Sequence, residues 1–187
     1  MDLKTPLTSL RHPGNAGPRD IDRKSLRPQG GRSYVRGETD RAPSRRTVFE
    51  LLQRTELHQS GADAAVFVEH GVRLSWSALR HEADSVAAGL LALGLRRGDR
   101  LGIWSPNSPE WLITQFATAR IGVILVTINP AYRVHELEHA LKQSGCTALV
   151  LAAQFKSSDY RAMIRELAPD LGATSPGLCV SARLPDL

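Results

Sequence analysis

The sequence predicts an α/β fold, a doubly wound and mainly parallel sheet with flanking helices. Three observations carry that reading. Leu101 to Trp104 and Val123 to Ile128 are runs apolar on both faces, as expected of strands buried between two helical layers. Between them lies one helix with clear ends: Ser108 as N-cap, Pro109 at the first helical position, Glu110 beside the positive end of the helix dipole, and Gly122 as the stop. Strand midpoints near Leu101, Ile124 and Thr147 are spaced 23 residues apart, the length of a βαβ unit.

The elements follow in order. Thr47 caps a helix over 47–59 in which Val48, Leu51, Leu52 and Thr55 share a face, and Ser60-Gly61 ends it. Ala64 to Glu69 and Val72 to Leu74 form a hairpin about His70-Gly71. Ser75 opens a long helix with Leu79, Ala83, Val86, Leu90 and Leu93 on one side, and Gly94 stops it. Arg97-Gly98-Asp99 is a turn into the first buried strand, with glycine supplying a positive φ, rather than an adhesion tripeptide. In the central helix Leu112, Phe116 and Ala119 take one face. A further helix over 134–144 buries Val134, Leu137 and Leu141 and stops at Gly145, and Thr147 to Leu151 is the next strand. Ser157 or Ser158 caps a last helix through Tyr160, Ile164 and Leu167, ended by Pro169. In domain terms, residues 1–46 read as a mostly disordered tail with one structured segment, Ser33 to Gly37. Residues 47–171 form the α/β subdomain, and 172–187 an irregular end with a hint of structure at Leu178 to Val180.

Charge is distributed unevenly. The 187 residues carry a formal charge of +5. The first 46 hold 11 Lys and Arg against 5 Asp and Glu, so all of the excess lies in the tail. The folded part has no basic stripe interleaved with aromatics, which speaks against nucleic-acid binding. No apolar run approaches the ~20 residues of a membrane-spanning helix. Two cysteines without partners at metal-ligand spacing fit a reduced, intracellular setting.

Few residues suggest chemistry. In doubly wound sheets ligands sit beyond the carboxyl ends of the strands. Here those ends are Trp104 to Asn107, Asn129 to Tyr132 and Ala152 to Gln154. His135-Glu136-Leu137-Glu138-His139 matches the H-E-x-x-H pattern, in which two imidazoles one turn apart hold zinc and the first Glu acts as base. Because Val134, Leu137 and Leu141 take the buried face, the histidines fall on a solvated flank with Glu138 and Lys142. Glu166 is the one convenient third ligand. Neither a G-x-S-x-G elbow nor a Gly-rich phosphate loop is present. Trp76, Trp104 and Trp111 are read as core and loop packing.

The stretch GDRLGIWSPNSPEWLITQFATARIGVILVTINPAY, with LSWSALRHEADSVAAGLLALGLRRGDR before it and HELEHALKQSGCTALVLAAQFKSSDY after it, resembles the N-terminal region of the adenylate-forming acyl-CoA synthetases. The resemblance is nearest the medium-chain fatty acyl-CoA synthetase branch and runs from about Ser33 to Leu187. It implies an N-terminal subdomain of the adenylate-forming ligase fold. The activity it implies is fatty acid activation with ATP to an acyl-adenylate, followed by transfer to coenzyme A, with Mg²⁺ serving the complete enzyme. The family's Ser/Thr/Gly-rich phosphate loop, Mg²⁺-associated Glu and C-terminal-domain Lys have no counterpart here. The resemblance therefore implies a fragment, inactive alone, with no catalytic or metal residue and no tight hold on ATP, Mg²⁺ or coenzyme A. In relatives the loop matching Asn129, Pro130 and Tyr132 lies near the coenzyme A nucleotide. A non-catalytic interaction remnant of the same fold is the alternative, ahead of a zinc hydrolase using His135, Glu136 and His139. The expected location is cytoplasmic, with the mitochondrial matrix as alternative.

Overall fold

A computed structural model of the protein describes residues 44–173 and 178–187. The expected tail, including Ser33 to Gly37, lies outside the described residues except for its last three. Helix α1 (Val48–Gln59) begins in a capping box: Thr47 Oγ1 accepts from the Glu50 amide at 3.2 Å, and the Thr47 amide donates to Glu50 Oε2 at 2.6 Å. That backbone bond holds the Glu50 carboxyl below its usual range. Strands β1 (Asp63–Phe67) and β2 (Val72–Ser75) pair antiparallel across a 3₁₀ turn closed by Gly71 in the left-handed region, as the hairpin reading expects. Ser75 Oγ accepts from the Ala78 amide to open α2 (Trp76–Ala92).

The parallel core follows. Strand β3 (Arg100–Trp104), helix α3 (Pro109–Ile121), strand β4 (Ile124–Ile128), helix α4 (Val134–Ser144) and strand β5 (Ala148–Leu151) build a three-stranded sheet in the order β4-β3-β5, every pair parallel. Side chains alternate across it. Trp104, Ile128, Leu149 and Leu151 pack with Leu137, Leu141, Tyr160 and Ile164, whereas Leu101, Leu125, Ala148 and Val150 pack with Ala87, Leu90 and Ala117. Helices therefore cover both faces. The two crossovers run in opposite directions on opposite faces, which gives them one hand. The fold is α/β with a parallel sheet between helical layers. A small hairpin, β6 (Gln154–Phe155) with β7 (Ser158–Asp159), leads into α5 (Tyr160–Leu167).

Gly102, in the middle of β3, is a packing glycine. A methyl there would stand 3.1 Å from both Ile128 Cδ1 and Leu149 Cδ1 and 3.4 Å from Cys146 Sγ, so the absent side chain lets the neighbouring strands' side chains meet over it. At Gly122 the left-handed φ of +74° stops α3, and a Cβ would meet Arg97 Cγ at 2.9 Å.

Four expectations are corrected. Strand β4 is not buried on both faces: it is an outer strand, Ile124 is 49% exposed, and only its last residue, Ile128, is buried. In α1 the inward residues are Phe49 and Leu52, while Val48 and Leu51 face out. The same face carries Glu56, which pairs with Arg80 of α2 at 2.5 Å. In α2 Ala87 takes the inner position with Leu90, and Leu93 is exposed beyond the last turn. Helix α5 is capped by Asp159, whose Oδ1 accepts from the Ala162 amide at 3.0 Å, because the β6–β7 hairpin occupies Ser158. The last ten residues, Leu178 to Val180 among them, form no helix or strand. They are nonetheless held: Leu184 is buried in the α4–α5 cluster, and Ser181 Oγ donates to Leu167 O at 2.6 Å.

Candidate functional site

The carboxyl ends of the three parallel strands converge on one rim. After β3 the chain turns through Ser105-Pro106-Asn107 and enters α3 at Ser108, whose Oγ accepts from the Trp111 amide at 3.2 Å. Glu110 follows, and its carboxyl is held below the usual range by a bond to its own amide and by Ser108. After β4 the chain makes a tight Asx turn: the Ala131 amide donates to Asn129 Oδ1 at 2.9 Å, and the Tyr132 amide to Asn129 O at 3.0 Å. The loop's amides are thus bonded within the turn and cannot fan out as a phosphate nest.

Between these two loops lies an open cleft of about 540 Å³ lined by Ser105, Pro106, Asn107, Trp111, Asn129 and Pro130. A second cleft, about 310 Å³, flanks β3 on its other side; it shares Ser105, Pro106 and Trp111 and adds His70, Glu110 and Gln154. The first falls within the size range of small-ligand sites. Its lining is a ring system, two prolines and uncharged polar groups, which suits a planar or amide-bearing ligand better than a bare phosphate.

Asn129 and Pro130 meet in that cleft. Tyr132 does not join them. Its ring, 36% exposed, lines a separate cleft of about 450 Å³ with His135, Glu136, His139, Ala140 and Gln143. A different aromatic lies under the prolyl turn. Tyr160, fully buried, donates its hydroxyl to Pro130 O at 2.5 Å and lies flat on Trp104, ring centroids 3.6 Å apart and planes 11° from parallel. Burial pushes the Tyr160 phenol above its usual pKa, so it stays a neutral donor. Sequence reasoning saw Tyr160 only as one apolar position of a helix face. Its place at the first residue after a cap, level with the strand ends, was the available signal.

The H-E-x-x-H segment has a local explanation. Glu136 accepts from the Arg133 amide at 3.1 Å as the third residue of α4; bonds from its own amide and from that of Arg133 lower its pKa. Glu138 pairs with Lys142 at 2.7 Å and with Arg183 at 2.5 Å. Among the described residues no group of three or more His, Cys, Asp or Glu is arranged to hold a metal ion. Among the described residues that line the cleft on the β3–α3 side, Glu110 is the one carboxylate, whereas Mg²⁺ is ordinarily held by carboxylates together with substrate phosphates. These residues therefore do not compose a Mg²⁺ site.

The sequence profile described as "AMP-binding enzyme" matches residues 52–185, and so covers all three parallel strands and the rim. The chain is 44% identical over 169 residues to the human mitochondrial medium-chain acyl-CoA ligase ACSF2, which covers 90% of this chain and 28% of that enzyme. It is 36% identical to the putative acyl-CoA synthetase YngI of Bacillus subtilis over 75% of this chain and 26% of the relative. The N-terminal domain of FACL13 from Mycobacterium tuberculosis superposes with a TM-score of 0.60 at 24% identity, over 65% of this chain and 30% of that one, a likeness of fold. The chain thus spans little more than a quarter of the length of these curated relatives. With a matched segment that holds the whole parallel core, the chain belongs to the AMP-binding enzyme family.

Proposed function

We propose that the chain is the N-terminal part of an AMP-forming fatty acyl-CoA ligase: fatty acid, ATP and coenzyme A to acyl-CoA, AMP and pyrophosphate, with medium-chain acids as the substrate class. The observation that carries this reading is the 44% identity to a medium-chain acyl-CoA ligase across 90% of the chain. Pentavalent phosphorus is stabilised by converging donors and a metal. The cleft between the loops after β3 and β4 offers uncharged side chains and amides already bonded within a turn. Adenylation is accordingly assigned to the longer protein, and the 187 residues by themselves are expected to give no ATP–pyrophosphate exchange. ATP and Mg²⁺ belong to that longer protein too.

The role assigned to this chain's own residues is to form one wall of the coenzyme A side. Asn129 and Pro130 would border the nucleotide from the β4–α4 loop, Trp111 offers a ring face across the cleft, and Tyr132 would contact the ligand from the adjoining α4 cleft. A weak, millimolar interaction is expected, because one wall of a site recovers little of the entropy lost on binding. Titrating coenzyme A into the ¹⁵N-labelled chain tests this assignment. Amide shifts concentrated at Asn107, Trp111, Asn129, Ala131 and Tyr132 support it. Shifts spread evenly over the surface, or none at 5–10 mM (~2.7–3.1 kcal/mol of binding free energy), would remove it. As to location, the mitochondrial alternative draws support from the ligases of that compartment among the relatives. No helix among the described residues is long and apolar enough to cross a membrane.

A second reading, a non-catalytic remnant that pairs with another protein, is favoured by one observation. Beside the outer strand β5 runs a groove of about 430 Å³ lined by Leu93, Leu95, Leu149, Leu171 and Leu178. It predicts concentration-dependent association in analytical ultracentrifugation, where the first reading does not require any.

A further inference from the structure

We infer that Tyr160 is a positioning residue for the rim: its buried ring packs on the end of β3, its hydroxyl ties down the loop after β4 and its backbone amide the loop after β5, which together set where Asn129 and Pro130 stand against coenzyme A. The inference rests on the reading of the rim just given. Three contacts carry it. The Tyr160 ring stacks on Trp104, the last residue of β3. Its hydroxyl donates to Pro130 O in the loop after β4. Its own amide donates to Ala153 O, in the loop after β5, at 3.2 Å. The base of the side chain is fixed as well, since Tyr160 is the first residue of α5 and Asp159 caps that helix. Trp104 and Tyr160 are both fully buried, and in a close-packed interior neither ring can swing away without displacing its neighbours.

The hydroxyl is the separable part. Tyr160→Phe keeps the ring, the stack and the amide, and removes only the tie to Pro130. A core aromatic with no other role would tolerate that change with some loss of stability and no local signature. A positioning residue would not: the Asn129–Tyr132 turn loses its anchor while the sheet beneath it stays whole.

The test compares the wild-type chain with Tyr160→Phe and with Ile164→Val, a change in the same packed cluster one turn further along α5. Hydrogen exchange of the Ala131 and Tyr132 amides and the coenzyme A titration are read on each. The inference expects Tyr160→Phe to speed exchange of those two amides about tenfold, to leave Leu141 of α4 unchanged, and to weaken coenzyme A about three- to tenfold, the range of one lost hydrogen bond. Ile164→Val should lower stability and leave both readouts at wild-type values. Coenzyme A binding of equal strength in wild type and Tyr160→Phe would overturn the inference, as would equal loss in Ile164→Val. If the wild type itself shows no response at the rim, the coenzyme A assignment fails and takes this inference with it. Exchange rates then show whether Tyr160 clasps the loop for packing alone.

Discussion

Arg183 Nη2 lies 2.5 Å from Glu138 Oε2 and ties the irregular C-terminal segment to the flank of α4. Glu138 receives Lys142 on its other oxygen, and with Arg183 as the larger influence its carboxyl falls to a pKa of about 2. A carboxyl whose pKa is lower folded than unfolded binds fewer protons in the native state. It therefore stabilises above its unfolded value, and that stability drains away as pH falls from about 4.5 toward 2. Urea denaturation at pH 6, 4 and 3 should show wild type losing more stability over this range than Glu138→Gln, with the difference shrinking in 0.5 M (~4 Å Debye length) salt. Parallel pH profiles for the two proteins would contradict the pairing.

Gly102→Ala should destabilise the chain by about 1–3 kcal/mol, because the new methyl enters a space only 3.1 Å from Ile128 and Leu149. Adding Ile128→Val removes one of the opposing methyl groups. The double variant should then be less unstable than the sum of the two single changes, a coupling measurable in a double-mutant cycle by chemical denaturation.

Asp159→Ala should cost about 1 kcal/mol as the loss of an N-cap. Ser158→Ala should cost less than about 0.5 kcal/mol, since Ser158 accepts from Arg133 Nη1 at the surface and caps nothing. Thermal unfolding of the two variants separates them, and equal effects would return the cap to Ser158.

Trp104→Ala removes one half of the ring stack and should cost about 3–5 kcal/mol, as large aromatic truncations in packed cores do. Trp104→Phe should recover most of that loss. It also deletes an indole Nε1–H that is buried without a partner, so nothing is left unbonded by the change. Urea midpoints of both variants decide the matter.

The parallel core was legible because each boundary is written in chemistry that acts locally. Ser75 and Ser108 cap helices, Pro109 starts one, and Gly94, Gly122 and Gly145 end three, whatever the rest of the chain does. What escaped depends on tertiary context. Nothing in the run of Val123 to Ile128 tells an outer strand from a central one, since the apolar pattern is the same and only the neighbours differ. The β6–β7 hairpin is two residues per strand, too short to show a period, and its turn places Lys156 at φ +52° where a reader looks for Gly or Asn. At the rim, adjacency in sequence misled. Asn129, Pro130 and Tyr132 are nearly consecutive, yet the Asx turn sends Tyr132 toward His135 and His139 and leaves the first two facing Trp111. Tyr160 lies 30 residues away from the carbonyl it holds, and no local pattern announces such a bond.

The most direct measurement joins this chain to the catalytic remainder of a relative. Residues 46–187 would replace the matched segment of the human medium-chain acyl-CoA ligase, and acyl-CoA formation from octanoate, ATP and coenzyme A would be followed. An active hybrid, beside a chain that alone releases no pyrophosphate, is the predicted result. A hybrid that folds and binds ATP but forms no acyl-CoA would contradict the assignment.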